Sequence, residues 1–205
     1  MKMKTYEVAV EISGPTAMWS RPDTGATPTS YVAPTYSAAK GIFESILRWQ
    51  SVDIRPLRAE ICSPVVFHRY VTNYGGPLRS TSSVKSGSSH QVFATVLINV
   101  RYRLVAQIIE RTRAPDGTFA PHAYQDAFAR RLANGSWFTT PSLGWKEFAP
   151  SYVGLPRPDL EPCAVENHEI PSMLHTVFDS PQAGKINPHF VAGLKVTNGV
   201  LLYAQ

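Results

Sequence analysis

Along the first third of the chain the apolar residues alternate, then fall at helical spacing, then alternate again. From Thr5 to Ile12 the residues Tyr6, Val8, Val10 and Ile12 lie on one side and Glu7, Ala9 and Glu11 on the other, the period of a strand with one buried face. Ser13-Gly14-Pro15 is expected to end it. Residues 16–34 follow as a loop rich in Pro, Thr, Ser and Gly; its Trp19, Arg21 and Tyr31 suit either a binding surface or ordinary loop anchoring. Over residues 35–49 the apolar positions Ala38, Ala39, Ile42, Phe43, Ile46 and Leu47 define one face of a helix, with Thr35 placed to cap its start. Gly41 in mid-helix costs about 1 kcal/mol against Ala. That cost makes sense if something packs or passes close there.

Asp53 to Phe67 reads as a strand, with Pro56 and Pro64 pushing it towards an edge or a bulge. Residues 68–91 read as a basic loop without a single acid, carrying Arg69, Arg79, Lys85 and His90. Val92 to Ile109 is the strongest strand signal, with Val96, Ile98, Val100, Tyr102, Leu104 and Ala106 on one face. A second helix is expected from about His122 to Ala133, stopped by Asn134-Gly135. A strand over Trp145 to Val153 completes the order strand, helix, strand, strand, helix, strand. This predicts an α+β protein with a ferredoxin-like (RRM-like) βαββαβ domain over residues 1–153. Residues 154–205 form a small C-terminal β-sheet extension: a proline-rich connection, a strand from Ser172 to Asp179, and a hairpin turning at Asn198-Gly199.

Composition narrows the function classes. With 205 residues and 43% hydrophobic content the chain can bury a real core, and its formal charge of +5 favours a polyanionic partner. Cys62 and Cys163 are far apart and lack metal-ligand spacing, and the six histidines form no metal motif. Neither a metal nor another cofactor is implied. Phosphate-loop, dinucleotide and nucleophile-elbow motifs are absent. No apolar run of signal-peptide or membrane-spanning type occurs, so a cytoplasmic protein without membrane contact is expected. The chemistry left open is metal-free acid–base work on RNA, which needs a base for the 2′-OH, an acid for the leaving oxygen and a cation for the phosphate. His122, His90 and Lys85 are residues of the right type.

Four stretches resemble a known family. They are Ser13-Gly14 with Met18-Trp19-Ser20-Arg21-Pro22; Ser30-Tyr31 through Pro34-Thr35-Tyr36, Ala39-Lys40-Gly41-Ile42 and Glu44-Ser45-Ile46; Ala133-Asn134-Gly135 through Leu143-Gly144-Trp145-Lys146-Glu147-Phe148; and Met173 to Asp179 with Phe190 to Val200. Together they resemble the "Cas five" family of CRISPR-associated proteins in the RAMP superfamily, most of all its type I-C subunit. The resemblance implies a subunit that holds the 5′ handle of a CRISPR RNA in a surveillance (Cascade) complex for antiviral defence. It implies contacts with backbone subunits of the Cas seven type and a large subunit of the Cas eight type, with target DNA near the PAM as a further candidate partner.

Type I-C members of the family also cut precursor RNA without metal, using a Tyr, a Lys and a His. At the corresponding positions this chain has Leu47 for the Tyr and Ala123-Tyr124 for the Lys-His pair, or Pro121-His122 after a two-residue shift. Two readings follow. In the first the chain is an RNA-binding subunit using Tyr36, Lys40, Arg48, Trp49, Arg69, Lys85, Trp145 and Lys146, aromatics stacking bases and cations meeting phosphates. In the alternative it is a metal-independent endoribonuclease whose catalytic residue is His122, helped by Tyr124 and a cation such as Lys85 or Arg48.

Overall fold

One strand of 21 residues, β4 (His90–Glu110), is the spine of the molecule. The computed structural model describes residues 5–25, 27–74, 81–85, 90–111, 120–177 and 186–203. The C-terminal half of β4 lies between β1 (Glu7–Ala17) and β2 (Val52–Ile61); its N-terminal half pairs with β3 (Val66–Tyr74). Beyond β1 lies the short β5 (Tyr152–Gly154). Beyond β2 come β8 (Val200–Leu202), β7 (His189–Thr197) and β6 (His168–Thr176), in the order β5-β1-β4-β2-β8-β7-β6. Every pairing among these strands is antiparallel. The C-terminal strands therefore continue the sheet of the N-terminal part.

The register builds one apolar and one polar face. Val10 opposes Leu104, Ile12 opposes Tyr102 and Ile54 opposes Ile108, all buried. A bulge between Pro56 and Arg58 shifts β2 by one residue, so Ala59 and Ile61 return to that same face. α1 (Tyr36–Ile46) and α3 (Ala120–Asn134) bury Ile42, Phe43, Ile46, Tyr124, Phe128 and Leu132 in the same core. A third helix, α2 (Thr81–Lys85), is a single turn.

Several boundaries differ from the sequence reading. β1 does not stop at Ser13-Gly14-Pro15: Gly14 pairs with Val100 and Thr16 with Ile98. Pro15, which has no N–H to donate, falls opposite Asn99, whose φ is +55°. α1 ends at Ile46 instead of residue 49, because Leu47 turns extended (φ −148°). Its last carbonyls are taken from outside the helix: Phe138 and Thr139 N–H donate to Ser45 O (both 2.9 Å), and Arg131 Nη1 donates to Ile46 O (3.3 Å). The strand expected over 53–67 breaks between Ile61 and Val66, around Pro64. The expected loop 68–91 begins instead as strand, since β3 runs to Tyr74, and α2 and the start of β4 lie within it; residues 75–80 and 86–89 are outside the described residues. The strand expected from Trp145 shrinks to Tyr152–Gly154. Trp145 and Phe148 form a turn instead, their rings stacked 5.6 Å apart. Residues 178 and 179 of the expected Ser172 to Asp179 strand lie outside the described residues.

Other expectations agree with the structure. Thr35 Oγ1 accepts from Ala38 N (3.2 Å). Gly135 (φ +60°) stops α3, with Ser136 N–H donating to Arg131 O (3.0 Å). Asn198 and Gly199 take the two positive φ values of a tight hairpin turn. In the 16–34 loop, Trp19 and Tyr31 prove to be anchors: both are buried, and Trp19 Nε1 donates to Tyr102 Oη (3.2 Å).

Candidate nucleic-acid interface

Two regions carry several of the residues singled out by sequence, and the rest are scattered. The first lies where α1 ends against α3. Tyr124 points inward from α3, fully buried, and donates its phenol proton to Leu47 O (2.6 Å). Trp49 meets Tyr124 edge-on at 5.5 Å and Phe128 stacks on it at 5.9 Å. Burial, with Glu44 nearby, pushes the Tyr124 phenol well above the ordinary tyrosine range. The fold thus joins two of the positions at which the resemblance leads one to expect catalytic groups, 47 and 124. It fills them with a buried Leu and a buried Tyr whose hydroxyl is already engaged. His122 stands apart on the first turn of α3, its side chain 58% exposed, with Nδ1 3.6 Å from Asp126 Oδ2 and its ring edge-on to Tyr6. Among the described residues it makes no hydrogen bond, ion pair or ring contact with Arg48, Lys85 or Tyr124.

The second region is a hollow of about 590 Å³ between α1 and the segment 139–149, with Ala38, Gly41 and Ile42 on the helix side and Thr139, Thr140, Ser142 and Lys146 on the other. Two backbone features set this segment in place. Met18 N–H donates to Leu143 O (2.9 Å), and Gly144 adopts φ +96°, so close to Met18 that a Cβ there would lie 1.8 Å from Met18 O. Trp145, half-buried, stacks on Phe148 and donates Nε1–H to Ser20 Oγ (3.1 Å). Lys146 is exposed and has no ion-pair partner among the described residues. Arg48, just past α1, is likewise exposed and unpaired among them.

The other candidates are dispersed. Lys40 turns to β2 and pairs with Asp53 (3.1 Å), the two side chains only 13% and 14% exposed. Burial opposes ionisation of Asp53, but Lys40 and Arg111 outweigh it and hold its carboxyl below the usual range. Tyr36 is buried, stacked on His175 at 4.0 Å and edge-on to Tyr203 at 5.8 Å, where it ties α1 to the C-terminal strands. Arg69 is exposed on β3, its guanidinium 4.6 Å over the Phe93 ring. Lys85 is exposed at the end of α2. His90 opens β4 opposite Tyr74, and its side chain lies outside the described residues.

Sequence reasoning missed a charged lattice on the polar face of the sheet. Glu11, wholly buried, binds Arg101 (2.8 Å) and Arg157; Glu60 binds Arg58 (2.7 Å) and Arg103. Arg103 Nη1 also donates to Leu160 O (3.0 Å), so the proline-rich segment 155–165 straps across this face. Burial would push the Glu11 carboxyl up, but hydrogen bonds from the side chain and backbone of Arg157 and from Arg101 prevail and hold it down to about 2. The alternation that put Glu11 opposite Val10 was the signal for which face it takes, not for its burial. Also missed were Phe67 and Phe93, 46% and 38% exposed beside Arg69 around a hollow of about 350 Å³.

A scaffold that buries Glu11 and Glu60 in ion pairs and leaves Arg48, Arg69, Lys85 and Lys146 exposed suits a polyanion. Comparison with known proteins identifies the class: residues 7–190 match the family described as CRISPR-associated protein (Cas_Cas5), and the chain belongs to that family. It is 31% identical over 152 residues to the CRISPR pre-crRNA endoribonuclease Cas5d of Thermus thermophilus. The match covers 72% of this chain and only 63% of that protein's length. Two solved structures share the fold, each with a TM-score of 0.72 and covering 100% of this chain and 95% of theirs. One is a CRISPR-associated protein at 17% identity; the other is the functionally uncharacterized protein SMU1763c from Streptococcus mutans at 16%. Among the described residues no helix is long and apolar enough to cross a membrane.

Proposed function

We propose that this chain is a single-stranded RNA-binding subunit that holds the 5′ handle of a CRISPR RNA in a type I surveillance complex. The observation that carries this reading is the occupation of positions 47 and 124 by a buried leucine and a hydrogen-bonded buried tyrosine. Neither can serve as acid or base for RNA, while Arg48 and Lys146 stay exposed without a counterion among the described residues. Arg48, Arg69, Lys85 and Lys146 are proposed to meet phosphates, and Trp145 and Trp49 to border the RNA path. Tyr36 and Lys40 hold α1 in place.

The strand order β5-β1-β4-β2, with α1 between β1 and β2 and α3 between β4 and β5, supports a ferredoxin-like core over residues 1–153. Residues 154–205 act as a β-rich extension of its sheet. Backbone subunits of the Cas seven type, a large Cas eight-type subunit and target DNA near the PAM are the partners this role calls for, in the cytoplasm. The test is RNA binding by fluorescence anisotropy across a salt series. Arg48→Ala and Lys146→Ala should each weaken binding and lower the slope of log K against log salt by about 0.7; unchanged slopes in both would refute these contacts.

A second reading, metal-independent cutting of precursor RNA, is favoured by one observation, the 31% identity to a protein named as a pre-crRNA endoribonuclease. In that case His122, exposed on α3, carries the acid–base step. Incubating the protein with precursor repeat RNA in EDTA separates the two: one sharp cut, lost in His122→Ala, supports the enzyme, and binding without cutting supports the holding subunit.

A further inference from the structure

We propose that the hollow over Gly41 receives one nucleotide of the bound RNA, its base against helix α1 and its phosphate at Lys146. This inference rests on the RNA-binding reading above. Gly41 sits inside α1, where glycine is a poorer helix former than alanine. Two ordinary reasons for glycine are absent. Its φ is not positive, so the backbone does not demand it, and a Cβ built on it meets no atom within 4 Å, so no neighbour in the chain excludes a side chain. What the missing side chain does is keep the hollow deep, for Gly41 is part of its wall.

The wall chemistry fits a nucleotide. Ala38 and Gly41 offer a flat, side-chain-poor surface to the face of a base. Thr139 and Thr140 supply hydroxyls that both donate and accept, and Ser142, whose hydroxyl donates to Gly144 O (3.4 Å), adds an acceptor. Lys146 supplies the cation, and no carboxylate lines the space among the described residues. A volume of about 590 Å³ lies within the usual range of small-ligand sites, about 300–1,000 Å³. The segment opposite α1 is fixed by the Gly144 contact with Met18 and by the Trp145–Ser20 hydrogen bond, so the hollow exists before any ligand arrives.

The experiment uses the full chain and compares Gly41→Ala and Gly41→Leu with the parent for melting temperature and for affinity to a labelled repeat-handle RNA. Gly41→Ala should raise the melting temperature. Gly41→Leu should fill the hollow and lower RNA affinity at least tenfold without a lower melting temperature, a separation that loss of folding cannot produce. Parent-like RNA affinity in a folded Gly41→Leu protein overturns the assignment of the hollow, including the outcome in which a protein partner uses it, and leaves the RNA-binding reading intact. A parent protein that fails to bind RNA at all overturns both. Should Gly41→Leu not fold, crosslinking of 4-thiouridine-substituted RNA to the parent decides: adducts within residues 139–146 support the inference, and adducts confined elsewhere overturn it.

Discussion

The polar face of the sheet and the outer side of α1 handle positive charge in opposite ways. On the sheet, Arg101 and Arg157 converge on buried Glu11, and Arg58 and Arg103 on Glu60, beneath a proline-rich strap. Beside α1, Arg48 and Lys146 stand exposed with no counterion among the described residues. The same formal charge therefore serves two purposes. A cation whose carboxylate lies within the chain is scaffold, and removing either partner leaves a desolvated charge behind. A cation in water without a partner contributes little to folding and keeps its full attraction for phosphate. The sheet surface on which many RNA-binding α+β folds stack bases is here crossed by residues 155–165, held by Arg103 and Glu11.

The sharpest way to break this comparison is at Glu11. Glu11→Gln should cost about 3–5 kcal/mol in urea unfolding, since Arg101 and Arg157 would face a neutral amide; a loss below about 1 kcal/mol would mean the lattice is not structural. Acid should act on the same point. The Glu11 carboxyl is held at about 2 against an ordinary 4.5, so the unfolded chain takes up its proton first. Its stabilisation is complete above about pH 4.5 and disappears as pH falls towards 2, and unfolding curves of Glu11→Gln should be flatter through that window.

Lys40→Ala comes next, at about 1–2 kcal/mol, because its pair with Asp53 is mostly buried. Its RNA salt slope should match that of the parent, in contrast to Arg48→Ala. Tyr124→Phe should cost about 1 kcal/mol by releasing Leu47 O, with RNA affinity unchanged when the protein is assayed well below its melting point. The smallest effect on folding belongs to Arg48→Ala, within about 0.5 kcal/mol. That variant should still lose RNA affinity, and equal losses of affinity in Lys40→Ala and Arg48→Ala would erase the distinction between paired and free cations.

What the sequence disclosed was local. The Thr35 cap, the helical run Ala39–Ile42–Phe43–Ile46 and the Asn198-Gly199 turn are each decided by neighbours in the chain, and each lies where spacing put it. The strand from Val66 to Tyr74 was missed beyond Phe67 because among the described residues it pairs with β4 alone and leaves Val66, Phe67 and Val71 exposed, so no apolar–polar alternation marks it. The Glu11–Arg157 pair joins residues 146 apart, and nothing in composition separates Lys40, bound to Asp53, from Arg48, bound to nothing described. Residue type named both as candidates; only packing divides them. Gly41, which lines the hollow beside α1, was the exception. Its cost in a helix was visible in advance, although the space beside it proved to be open where close packing had been one expectation.

The length of β4 has a mechanical meaning. At about 3.3–3.4 Å per residue its 21 residues make a beam of roughly 70 Å. Near one end it carries the Phe93 ring beneath Arg69, and just past its middle Arg101 and Arg103 under the strap. The positive φ of Asn99 marks an irregular joint between them. A single continuous strand thus joins the exposed Phe93–Arg69 surface to the buried salt bridges of Glu11 and Glu60.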